Sequence, residues 1–152
     1  MTMKLKTEVI IDADRATVWR LFDDTGNLTR WQSTLKSVTN KSGTPGEPDA
    51  VAELVYDENG RDVVLTETIT ARRQPDFLAG IYESKWGAAV VVNQFEETED
   101  GRTCWTVYCN HSFKGFMKLM ALFARKSIVE RTEGDAQRFK LFVESTVAGE
   151  TE

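Results

Sequence analysis

From residue 116 to residue 146, apolar and small side chains recur every three or four positions. The seam runs through Met117, Ala121, Ala124, Ile128, Thr132, Asp135, Phe139, Phe142 and Thr146, the repeat of one helix face. A helix this long cannot cover its own stripe and needs a partner surface. Gly134 sits within the seam and is expected to bend or interrupt it.

Everything before Gly115 supplies that partner. Residues 3–12 alternate loosely and are rich in strand formers. Asp12 and Asp14 are good helix N-caps, and Ala16, Val18, Trp19, Leu21 and Phe22 read as a short helix that Gly26 breaks. A second short helix or turn covers residues 27–32 and carries Trp31. Strands follow over residues 35–41, 50–56, 62–71, 77–84, 88–96 and 102–113. Asn59-Gly60 and Asp100-Gly101 mark tight hairpins, because these residues tolerate positive φ. Gly43, Pro45, Gly46 and Pro48 make residues 42–49 a loop. Hairpin-linked strands form an antiparallel sheet with one face to cover, and the long helix is the element large enough to cover it. The expected fold is therefore α+β: a curved antiparallel sheet wrapped around a long C-terminal helix, with two short helices after the first strand. Such a sheet leaves a cavity beside its helix. No repeat or composition break divides residues 1–152, so a single domain is expected.

Charge and cysteines narrow the function classes. Nineteen basic and 24 acidic residues give a net charge of −5, without the basic stripe of a nucleic-acid binder. No apolar run approaches the roughly 20 residues that span a bilayer. Residues 1–12 are charged and alternating, unlike a signal peptide. Cys104 and Cys109 fall on one strand at an odd offset, which points them to opposite faces and forbids a disulfide. Unpaired thiols suggest a cytoplasmic protein. No metal or other cofactor is expected, since only one histidine and two cysteines are present.

In order, 9-VIIDADRATVW-19, 28-LTRW-31, 65-LTETI-69, 100-DGRT-103 and the closing helix with Phe139-Lys140-Leu141 resemble the helix-grip superfamily. That group includes the steroidogenic-acute-regulatory lipid-transfer domains, the birch-pollen allergen class and the polyketide cyclase/dehydrase-like proteins. The resemblance implies a helix-grip fold with a cavity for an apolar ligand. It does not imply one activity, because function lives in the site. The other cone-like α+β fold, typified by nuclear-transport-factor-like proteins, places its long helix first.

In the last strand Trp105, Val107, Cys109, His111 and Phe113 share the more apolar face and are expected inward. His111 is the only histidine and is a candidate acid/base or ligand-binding group. Glu67 faces the cavity if Val63, Leu65 and Ile69 do; the alternative face, with Val64, Thr66 and Thr68, is equally strand-like. Tyr82 alternates with Gly80, which would leave room for a ligand. Asp135 could pair with Arg131 or Arg138. The expected function is binding or transport of a small hydrophobic molecule: a lipid, isoprenoid or polyketide-like compound. Trp31, Tyr56, Tyr82, Trp86, Trp105, His111, Met117 and Met120 would line or rim the cavity. In an alternative, the protein is a cyclase/dehydratase-like enzyme in which Glu67 or His111 moves protons and Tyr82 polarises a carbonyl. In a third, residues 116–123 contact a protein or a membrane surface, although packing beneath the short helices is the commoner fate of such a segment.

Overall fold

The computed structural model describes residues 2–151; Met1 and Glu152 lie outside them. Strand β1 (Thr2–Ile11) leads into helix α1 (Arg15–Asp23), a single 3-10 turn and the one-turn helix α2 (Leu28–Trp31). Asp14 caps α1, accepting from the Thr17 amide at 2.9 Å, which satisfies one of the helix's free N–H groups. Six strands follow: β2 (Leu35–Ser42), β3 (Val51–Glu58), β4 (Arg61–Arg73), β5 (Phe77–Ser84), β6 (Gly87–Glu97) and β7 (Thr103–Phe113). Helix α3 (Met117–Glu150) closes the described chain.

All seven strands form one antiparallel sheet in the order β1-β7-β6-β5-β4-β3-β2. Each strand from β2 to β7 pairs with its sequence neighbour, and β1 returns to the far edge against β7. The expected hairpins are present. Asn59 and Gly60 take φ of 55° and 84°, as a two-residue turn between right-twisted strands requires. At the β5–β6 hairpin, a Cβ on Gly87 would meet the Ser112 carbonyl oxygen at 2.1 Å. Only glycine lets β6 begin that close to β7.

The covering helix runs 34 residues without a break, about 51 Å. Gly134 does not interrupt it, so that half of the expectation fails. The Arg138 guanidinium lies back over this position, 3.2 Å from where a Cβ would stand. It donates to the Trp31 carbonyl at 3.2 Å and pairs with Asp135. The glycine thus makes room for a side chain that ties α3 to α2. The C-terminal half of α3 is tied down again at β1: Lys140 Nζ donates to the Ile10 carbonyl at 2.7 Å, and the Asp12 amide donates to Glu144 at 2.8 Å. Ala136, Phe139 and Val143 are buried here, with Val9, Ile11, Val18, Trp19, Trp31, Phe95 and Trp105. Phe139 stands 4.9 Å from Trp31 and 5.0 Å from Trp105 between ring centres, and Phe95 stacks on Trp105. Burying several large rings together is the main stabilising term at this end.

Residues 116–123 do not pack beneath α1 and α2. Ala121 is buried, whereas Phe116, Leu119, Met120, Leu122 and Phe123 face solvent. The short helices sit over the other end of the sheet and cannot reach them.

Candidate functional site

Alternation puts Leu54 and Tyr56 of β3, Val63, Leu65, Glu67 and Ile69 of β4, and Leu78 and Tyr82 of β5 on the concave face. Ala89, Val91 and Asn93 of β6 and Trp105, Val107, Cys109, His111 and Phe113 of β7 share it. Between these side chains and Arg131, Thr132, Asp135 and Ala136 of α3 lies a cavity of about 440 Å³. That is the size of a small-ligand site.

The antiparallel register turns the wall into rungs. Glu67 pairs with Tyr82, Tyr82 with Ala89, and Ala89 with His111. These four residues therefore stand side by side across β4, β5, β6 and β7. At about 4.8 Å per strand, Tyr82 and His111 stand about 10 Å apart across the sheet. Ala89 is the notch between them. The neighbouring rung, Ile69, Gly80, Val91 and Cys109, is mainly apolar. Gly80 does not open space for a ligand as anticipated. A Cβ there would lie 3.1 Å from the Thr68 carbonyl and 3.6 Å from the Tyr82 ring, so the glycine serves strand spacing and the tyrosine.

Glu67 faces the cavity, which sequence alternation left open. The Tyr82 hydroxyl donates to its Oε2 at 2.6 Å. Burial pushes the Glu67 carboxyl above its usual range, and the tyrosine's hydrogen bond only partly opposes this. Burial, then the Glu67 charge, push the Tyr82 phenol well above its ordinary value. The pair thus holds its protons tightly in a part-buried wall. At the other end of the rung His111 has a buried Nε2 with no hydrogen-bond partner among the described residues. Burial lowers its pKa and favours the neutral ring. A buried polar atom without a partner is costly, and one in a cavity wall is a place for a ligand to repay that cost. Cys109 lies one rung deeper, and burial raises its thiol to about 11, so it is not a ready nucleophile.

Trp31, Tyr56, Tyr82, Trp86, Trp105 and His111 all contribute to the cavity wall, but in different ways. Trp31 and Trp105 are buried floor, packed on Phe139. Tyr56 donates to Gln32 Oε1 at 2.8 Å, and burial raises its phenol above the usual range. Trp86 is 43% exposed and belongs to the rim. Met117 and Met120 do not reach the wall. They lie more than ten residues before Arg131, about 16 Å or more along the helix. Met120 points to solvent.

Sequence reasoning overlooked Asn93, Gln32, Ala89 and the Glu58–Arg131 pair. Asn93 accepts from Trp105 Nε1 at 3.1 Å and donates to the Leu78 carbonyl. An asparagine at an inward position between Val91 and Phe95 was the available signal. Arg131 pairs with Glu58 across the cavity mouth, so Asp135 takes Arg138 instead. Among the described residues no three His, Cys, Asp or Glu side chains are grouped to hold a metal ion.

A curved seven-stranded antiparallel sheet, short helices after the first strand and a long last helix enclosing a cavity define a helix-grip protein. The sequence profile described as "Polyketide cyclase / dehydrase and lipid transport" matches residues 2–141, and the chain belongs to that family. No curated protein matches the sequence. Among solved structures, the Zhui aromatase/cyclase from a Streptomyces species is similar, with a TM-score of 0.83 at 14% identity over 97% of this chain and 96% of that one. A Thermus thermophilus protein superposes with a TM-score of 0.80 at 16% identity, covering 95% and 99%. The protein Ara h 8.0201 gives 0.75 at 13% identity, also covering 95% and 99%. At these identities the likeness establishes the fold.

Proposed function

We propose that the protein binds a small, mostly apolar molecule that carries a polar group, in the cavity between sheet and α3. The observation that carries this reading is the single rung on which Glu67–Tyr82 and the unpartnered His111 Nε2 flank the small Ala89 inside an otherwise apolar wall. An apolar ligand body would fill the hollow. Its hydroxyl or carbonyl would engage the rung. A lipid, isoprenoid or polyketide-like compound has that build, and the family description includes both cyclases and lipid transport. Two free thiols, Cys104 and Cys109, fit a reducing cytoplasmic setting.

Native mass spectrometry followed by denaturing extraction tests the reading. A co-purifying apolar molecule is the supporting result. The substitution Ala89→Phe fills the notch and is expected to abolish that binding. Equal ligand occupancy in the native and Ala89→Phe proteins would sink the proposal.

A second reading, proton-transfer catalysis of the cyclase or dehydratase kind, is favoured by one observation: a buried carboxyl hydrogen-bonded to a buried phenol at 2.6 Å. A carboxyl whose pKa burial raises holds a proton more readily than a solvated one and can exchange it with substrate carbon or oxygen acids. Glu67 would take or deliver the proton, Tyr82 would hold the carboxyl through its one O–H, and His111 would serve the far side of the notch. The neighbouring Zhui structure is named an aromatase/cyclase. Glu67→Gln separates the two readings, because a carrier keeps its ligand and an enzyme loses turnover.

A further inference from the structure

The first turns of α3 carry apolar side chains that neither core nor cavity uses. Phe116, Leu119, Met120 and Phe123 stand at i, i+3, i+4 and i+7, one stripe of a helix, with Leu122 beside it. Phe116, Leu119, Leu122 and Phe123 are between 65% and 81% exposed. This stripe is separate from the inward one. Ala121 is buried against the body of the protein, with Met117, Ala124 and Ile128 half-buried around it. The helix thus starts with two apolar faces, one covered and one in water. A contiguous patch of this kind marks an interaction surface.

The charges around it say which surface. Lys114, Lys118, Arg125 and Lys126 flank the stripe. No Asp or Glu occurs between Asp100 and Glu130, although the chain carries 24 acidic residues and a net charge of −5. Among the described residues Lys114, Lys118 and Arg125 make no ion pair, and Lys126 meets Glu130 only at 3.9 Å. The Lys114 amide donates to the Trp86 carbonyl at 2.9 Å. That bond holds the backbone of residue 86 beside the start of the helix; the Trp86 ring is 43% exposed, with Lys85 Nζ 4.6 Å above it.

We propose that this end of the molecule docks on an anionic lipid surface. Rings and leucines enter the boundary between headgroups and acyl chains, lysine and arginine heads stay at phosphate level, and tryptophan favours that depth. A second copy of this chain fits less well, since it would set one cationic cluster against another. Trp86, Ser112 and Phe113 also form part of the cavity wall, so docking brings that end of the cavity to the lipid. The proposal does not depend on what the cavity holds.

Co-sedimentation with vesicles tests it, using equal parts phosphatidylserine and phosphatidylcholine against phosphatidylcholine alone. The native chain is expected to sediment with the anionic vesicles and to be released by salt. Phe116→Ser combined with Phe123→Ser is expected to weaken partitioning about a hundredfold. Lys118→Glu combined with Lys126→Glu is expected to weaken it at least about tenfold. These side chains are exposed, so both variants should keep the native circular dichroism spectrum and melting temperature. A native chain that stays in the supernatant with both vesicles overturns the proposal, as does a double serine variant that binds equally well. A native dimer converted to a monomer by the serine changes would assign the stripe to a second copy and overturn it too.

Discussion

The two ends of the space between sheet and helix are built from the same strands and the same helix, yet one is packed and the other hollow. At the packed end Phe95 pairs with Trp105 across β6 and β7, and Phe139 fills the gap from α3. At the hollow end the same two strands present Ala89 opposite His111, and α3 presents Thr132 and Ala136. The backbone register is equally regular at both ends. Side-chain size on alternate positions decides where the interior is solid and where it can receive a guest. Polar accounting does not separate the ends: among the described residues Trp105 Nε1 is satisfied by Asn93, but Trp19 Nε1 and Trp31 Nε1 lack partners at the packed end as His111 Nε2 does at the hollow one.

Four substitutions would break or sharpen this contrast. The largest effect is expected from Phe139→Ala, which removes the ring on which Trp31 and Trp105 pack. It should cost about 3–5 kcal/mol, read as a lower urea midpoint; a loss under about 1 kcal/mol would show that this end is not the stabilising core. Asn93→Ala leaves the buried Trp105 Nε1 without its acceptor and should cost about 1–3 kcal/mol, measured the same way. Ala89→Phe adds a ring to space already empty, so stability should change by less than about 1 kcal/mol while ligand uptake disappears. A strong destabilisation there would mean that the hollow is smaller than it measures.

The smallest effect is a pH slope. Burial raises the Glu67 pKa, so the folded protein binds this proton more tightly than the unfolded chain does. Folding then takes up a proton between the ordinary value of 4.5 and the raised one. The stability contribution of Glu67 is therefore full below 4.5 and declines as pH rises through that window. Glu67→Gln lacks this decline, and its melting temperature should gain on the native protein as pH increases above 4.5. Parallel melting curves across that range would place Glu67 in a solvated, unperturbed setting.

The amino-acid sequence by itself determined the order of elements, the two glycine hairpins, the inward face of β7 and the inward stripe of the last helix. These follow from local rules: period two, period 3.6, and turn residues with positive φ. The face of Glu67 was not legible, because both sets of alternate residues in β4 suit a strand, and only pairing with Tyr82 on β5 chose between them. The same holds for Met117. Helical spacing put it on the seam, but how far the sheet reaches along α3 determines which turns face a wall. Gly134 stays helical because Arg138 occupies its space and anchors the helix to α2, a contact between residues more than a hundred positions apart. Glu58 and Arg131, 73 positions apart, meet for the same reason. Alternation says which residues share a face. Which face is covered, and how completely, is decided only when the sheet curves and the helix is laid across it.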